Sequence, residues 1–193
     1  WEALVVAGVL ALISFFLITP LNTYTKLLSV PALAVAIVYP FTKRFFSIPQ
    51  AILGIAFSFG IPMSFAAVQN QIPLTAWMMV VANIAWAIAY DTAYAMVDRE
   101  DDLKIGIRTS AITFGRHDVT IMMLCYLVVM ICFAWLGAKR DYSIIYWIFY
   151  AIAGLLIAHY YILIRGRDRA RCFLAFRRNN WLGACLFLAI ALA

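Results

Sequence analysis

Six of the nine acidic residues in this 193-residue chain lie between Asp91 and Asp118: Asp91, Asp98, Glu100, Asp101, Asp102 and Asp118. On a helix each residue turns by about 100°. Asp91, Ala95, Asp98 and Asp102 then form one stripe, with Glu100 facing away and Asp101 on the flank. Carboxylates stacked in this way repel one another, and a cation between them relieves the repulsion. Oxygen ligands at helical spacing, beside basic residues, suit Mg²⁺ shared with a phosphate group. Lys104 and Arg108 follow in the same stretch. Lys43 and Arg44 close an earlier apolar segment on the same side, so these four cations can face a diphosphate. Tyr39 precedes Lys43 by four residues. It is either a donor to a phosphate oxygen or an interfacial aromatic anchor. The competing reading of the acidic run is a solvated loop with Arg99 and Lys104 as local partners.

These residues are held by an unusually greasy chain. It is 66% hydrophobic and 12% charged, with a mean hydropathy of +0.94. A soluble domain carries about a quarter charged residues, and apolar runs of about 18 or more residues read as membrane spans. The pattern predicts an all-α, polytopic transmembrane bundle with seven helices, near 2–19, 26–40, 51–68, 74–97, 119–137, 143–164 and 181–193. Asp91 then lies inside the membrane edge, where an ionisable side chain is costly and marks a candidate functional site. Gly54, Gly60 and Pro62 suit close packing or kinking of the third helix. Asn83, in mid-span, reads as interhelical glue.

Charge sets the orientation. The connections 41–50, 98–118 and 165–180 hold twelve of the 15 Lys and Arg residues, and the alternate connections hold three. Short loops rich in Lys and Arg stay cytoplasmic, so the carboxylates are expected on the cytoplasmic side. The arginines from Arg165 to Arg178 read as topology determinants touching anionic lipid. Cys125, Cys132, Cys172 and Cys185 form no CxxC pair and read as packing residues. His117 and His159 match no metal spacing. Nothing in the chain points to nucleic acid. A divalent-cation channel or carrier would need acids along several spans, and only Asp91 is intramembrane. A CDP-alcohol phosphotransferase would need an Asp-Gly-x-x-Ala-Arg stretch, which is missing.

The stretch YDTAYAMVDREDDLKIGIRTSAITFG resembles the second aspartate-rich motif of the UbiA family of membrane prenyltransferases. VYPFTKRF resembles that family's Tyr-x-x-x-Lys stretch. The resemblance runs over essentially the whole chain as one prenyltransferase domain, 1–193. It implies a bundle of nine helices around a central cavity with a lateral opening for a lipid tail. It implies that Asp98 and Asp102, with Asp91 at the start of the motif, bind Mg²⁺ and a diphosphate, and that Tyr39, Lys43 and Arg44 support the diphosphate. The wording is nearest to the ubiquinone-pathway members, so the implied substrates are a polyprenyl diphosphate and 4-hydroxybenzoate, in a bacterial inner membrane. The family's first motif, Asn-Asp-x-x-Asp-x-x-x-Asp on its second helix, has no counterpart. The seven spans therefore match the third to ninth helices, and the chain is expected to be part of a longer enzyme.

Overall fold

A computed structural model describes all residues, 1–193. It is helical throughout: α1 (Glu2–Ile18), α2 (Thr23–Thr42), α3 (Pro49–Ser58), α4 (Gly60–Gln69), α5 (Leu74–Ile105), a short α6 (Ser110–Phe114), α7 (Asp118–Arg140), α8 (Ile144–Ile164) and α9 (Arg169–Ala191). Five segments are long and apolar enough to cross a membrane: α2, α3 with α4, α5, α6 with α7, and α8. Apolar α1 is shorter, at 17 residues. Helix α9 carries Arg169, Arg171, Arg177 and Arg178 in its first half.

Helix α5 is the axis of the fold and packs on α3, α7 and α9. Its inner side is a run of buried alanines, including Ala82, Ala85, Ala89 and Ala93. Small side chains let helix backbones approach closely where lipid offers no hydrophobic drive to association. One close approach is to α3. A Cβ on Gly54 would stand 2.9 Å from the Ile84 Cα. Beside that contact the Asn83 amide donates to Ser58 Oγ at 3.0 Å, which is the interhelical role its mid-span position predicts.

Three boundaries differ from the sequence-based expectation. The third span is two helices that break at Phe59, where Pro62 has no N–H for the Ser58 carbonyl. Helix α5 runs eight residues past the expected end at 97 and stops at Ile105, where Gly106 adopts φ 72. A left-handed residue just past the last turn, usually glycine, closes a helix in this way. The stretch 165–180, expected as a loop, is helical from Arg169, because the Asp168 side chain caps α9 by accepting from the Arg171 N–H at 2.9 Å.

Candidate active site at the end of α5

Because α5 continues to Ile105, Asp91, Ala95, Asp98 and Asp102 do share one face. Asp91, Asp98 and Asp102 are half-buried and Ala95 is buried, whereas Glu100 and Asp101 are exposed. The helix adds a physical oddity. Its carbonyl end already carries partial negative charge, and carboxylates there are unfavourable. Four acids nevertheless crowd its last two turns: Asp98, Glu100, Asp101 and Asp102. Two are balanced or solvated on the outer side. Asp101 pairs with Lys104 at 3.1 Å and Arg169 at 3.3 Å, and Glu100 is exposed. Asp98 and Asp102 have no cation within 4 Å.

The facing charge comes from the end of α2. Lys43 lies within electrostatic reach of both Asp91 and Asp102, and Tyr39, one turn earlier, lies near Asp91 and Tyr90. This juxtaposition is built by a seam of hydrogen bonds between two connections. The Arg108 N–H donates to the Lys43 carbonyl at 3.1 Å, and its guanidinium donates to the Phe45 carbonyl at 3.2 Å. Thr113 Oγ1 donates to the Ser47 carbonyl. The Ser110 N–H donates to Gln50 Oε1 at 3.1 Å, and the Ser110 hydroxyl meets Thr92 Oγ1 at 2.7 Å. The Gln50 side chain also turns toward Asp91.

The structure thus brings Tyr39, Lys43, Asp91, Asp98 and Asp102 together, with Arg108 at their rim. Arg44 sits exposed beside Lys43. Lys104 is placed apart, on the outer side of α5 with Asp101. No three metal-binding side chains converge into a ready-made ligand cage. Mg²⁺ seldom needs one, since it is usually held by one or two carboxylates, substrate phosphates and water. The pair Asp98 and Asp102, one turn apart and lacking cations, is chemically a fit for that mode.

One further cluster lay outside the sequence reading. Asp118 is fully buried. It accepts from Arg167 Nη2 at 2.6 Å and from Arg167 Nε at 3.1 Å, and Arg99 stands 3.7 Å away. Arg167 also donates to the Arg116 carbonyl at 2.8 Å. These bonds to Asp118 hold the Arg167 guanidinium above its ordinary pKa. Arg167 is therefore a structural clamp as well as a topology charge. No sequence spacing joins two residues 49 positions apart.

Below the carboxylates, α3, α5 and α9 line an open cleft of about 450 Å³ bordered by Trp86, Tyr90, Phe176 and Arg177. A second, apolar space of about 210 Å³ lies beyond it, between Ile61, Val129, Phe133 and Leu186.

The model of the UbiA prenyltransferase family matches residues 1–190. The chain belongs to the UbiA prenyltransferase family. Two relatives in that family are each named 4-hydroxybenzoate octaprenyltransferase. The one from Cupriavidus pinatubonensis is 61% identical over 193 residues, all of this chain and 68% of the relative. The one from Ralstonia nicotianae is 62% identical over all of this chain and 66% of its own length. Among solved structures, the apo form of a UbiA homolog from Aeropyrum pernix K1 superposes with a TM-score of 0.78 at 25% identity, covering 98% of this chain and 72% of that one. A digeranylgeranylglyceryl phosphate synthase structure shares the fold, with a TM-score of 0.74 at 15% identity over 97% of this chain and 67% of that one.

Proposed function

We propose that this UbiA-family enzyme transfers a polyprenyl group from its diphosphate to the ring of 4-hydroxybenzoate, a membrane step of ubiquinone biosynthesis. The observation that carries this reading is identity of about three residues in five, along the whole chain, with the relatives of that name.

The residues take the following parts. Asp98 and Asp102 are the residues that would hold Mg²⁺, which would supply Lewis-acid neutralisation of the diphosphate. Lys43, Arg44 and Arg108 ring the diphosphate from the α2 side and Tyr39 donates to one of its oxygens, whereas Lys104, paired with Asp101 on the outer side of α5, takes no part. Fixed cations and donors aimed at the leaving group favour it as its negative charge grows. The allylic C–O bond breaks and a C–C bond forms at the ring carbon ortho to the hydroxyl, whose electron density favours attack there. The ring then loses a proton, and Asp91, deepest of the stripe, is the carboxylate placed to take it. Tyr90, Trp86 and Phe176 present ring faces that can stabilise positive charge on the allylic carbon. The tail is drawn from the bilayer, so binding it costs little desolvation. We place the site on the cytoplasmic side of a bacterial inner membrane, with residues 1–193 forming part of a single prenyltransferase domain.

The test is turnover of a labelled polyprenyl diphosphate with 4-hydroxybenzoate, in membranes, by the full-length enzyme that contains this chain. We expect prenylated 4-hydroxybenzoate, loss of activity with a chelator and recovery on adding Mg²⁺. Labelled diphosphate that stays intact in the presence of Mg²⁺ and acceptor refutes the reading.

A further inference from the structure

Helix α5 carries two cations, Arg99 and Lys104. On a helix, residues three or four apart face one another, and those one or two apart do not. Lys104 can therefore reach Glu100 and Asp101 but not Asp102. Arg99, three residues before Asp102, is the single cation of the helix within reach of the Asp98 and Asp102 pair. It does not make that contact. Asp102 has no cation within 4 Å, and the cation that does act on it, Lys43, belongs to the end of α2.

Arg99 is turned instead toward α7. Its Nη1 stands 3.7 Å from Asp118 Oδ2, with the Arg99 side chain 35% exposed and the Asp118 side chain fully buried. Asp118 is anchored independently of Arg99. It opens α7, its Oδ1 accepts from the Val119 N–H at 2.7 Å, and Arg167 Nε donates to both of its carboxylate oxygens. A fixed, buried negative charge beside α5 decides which way the longer Arg99 side chain points, because attraction between charges strengthens as water is excluded.

We propose that Asp118 is a positioning residue for the metal-binding carboxylates: by holding Arg99 on the α7 side of α5, it keeps the one local competitor off Asp102, and the pair stays open to a divalent cation. The proposal rests on the reading above that Asp98 and Asp102 take Mg²⁺. An Arg fork on Asp102 would occupy its oxygens and cancel the charge that the cation needs. The pairing of Asp118 with Arg167 then has a consequence beyond stability, since it immobilises the carboxylate that holds Arg99.

The experiment uses the full-length enzyme that contains this chain and reads two half-saturation values. One is the Mg²⁺ concentration that half-restores turnover. The other, without turnover, is the Mn²⁺ concentration that half-fills the enzyme beside geranyl S-thiolodiphosphate, an unreactive donor analogue, read by electron paramagnetic resonance. Asp118→Asn should raise both values about fivefold, the upper end of what a partly exposed ion pair contributes. Adding Arg99→Gln should return both to wild type, because the competitor is then gone. Arg167→Gln alone weakens the clamp but leaves Arg99 its partner, and should keep the wild-type values. Lost stability changes how much enzyme folds, not the concentration at which it half-fills. If Asp118→Asn does not accumulate, Asp118→Asn with Arg167→Gln decides, since replacing both partners of a buried pair is better tolerated than removing one. Wild-type values in the variants without the Asp118 charge overturn the proposal and leave prenyl transfer intact. So does a rise that Arg99→Gln fails to reverse, or one that Arg167→Gln shows equally. A wild-type enzyme with no dependence on divalent cation in either measurement overturns the proposal and the Mg²⁺ reading together.

Discussion

At the carbonyl end of a helix, each added carboxylate works against the dipole, and α5 accepts that cost four times over in its last two turns. The cost is not relieved evenly. Asp101 has two cationic partners at the surface, pairs of a kind that contribute little to stability. Asp98 and Asp102 have none within 4 Å, and Lys43 faces Asp102 from another helix. This asymmetry separates the acids experimentally. Asp98→Ala or Asp102→Ala should lower turnover by about a hundredfold or more, as loss of a group acting on developing charge does. Glu100→Ala, on the opposite side, should stay within about threefold of wild type, like most exposed substitutions. Equal losses at all three, measured as rate per inserted enzyme, would end the shared-stripe argument. The cations can be tested in the same assay. Lys43→Ala should raise KM for the prenyl diphosphate more than for the aromatic acid, by about tenfold to a hundredfold, the worth of one charge-assisted contact. Arg44→Lys should keep membrane orientation and lose turnover, because a Lys cannot reproduce the planar guanidinium fork. If both variants bind diphosphate as wild type does, these residues serve topology alone.

What positions the residues is the contact of α3 with α5 and the seam between the 43–50 and 106–113 connections. Gly54 is the tightest point of that contact, since its absent side chain would strike backbone, which cannot rotate away. Gly54→Ala should therefore push α3 outward, and Gln50, at the α3 N-terminus, would move with it and slacken the hydrogen bond from Ser110. A displacement near 1 Å is enough to cost about a hundredfold in rate, so we expect that loss with insertion retained. Unchanged rates would mean that the seam alone fixes the site. Much of this was legible in the sequence, and the failures have physical causes. The carboxylate stripe follows from residue spacing, and the family wording reaches the same residues independently. Composition ends α5 too early because a dense acidic run resembles a solvated loop, and only the glycine at 106 marks the true end. Hydropathy starts α9 too late because its first turns are rich in arginine, which scores as loop although arginine is a good helix former. Asp118 and Arg167 meet only through tertiary packing, and no local pattern encodes that. Breaking a buried ion pair by removing one partner typically costs about 3–5 kcal/mol. Arg167 is partly exposed and Arg99 remains close by, so Arg167→Ala should sit at the low end of that range. A thermal-unfolding midpoint several degrees below that of Arg169→Ala would show it.

Across the whole molecule, the connections fall into two sets at opposite ends of the bundle. The basic set is laced together. Arg108 binds the 43–45 turn, Thr113 binds Ser47, Arg167 binds Asp118 and the Arg116 carbonyl, and Arg169 reaches Asp101. At the other end, Asn22 caps α2 and donates to the Ala66 carbonyl at 2.6 Å, which ties the turn before α2 to the last turn of α4. A one-sided site requires this arrangement, because every group assigned to the diphosphate must lie on the same side as the carboxylates. The twelve-to-three bias of Lys and Arg between the two sets is the basis, through the positive-inside rule, for our proposal that this side faces the cytoplasm. The orientation can be read with single cysteines in a background where Cys125, Cys132, Cys172 and Cys185 are replaced. Asp101 is exposed at the carboxylate end. Gln71 is exposed at the other end, and is a better reporter than Asn70, whose φ of 52 would strain a cysteine. A membrane-impermeant maleimide should label Asp101→Cys only after the cytoplasmic face is opened, and Gln71→Cys in intact cells. Reversed labelling would put the diphosphate pocket on the far side from the cytoplasm, and the assignment of Lys43, Arg44 and Arg108 as both topology charges and diphosphate ligands would fall with it.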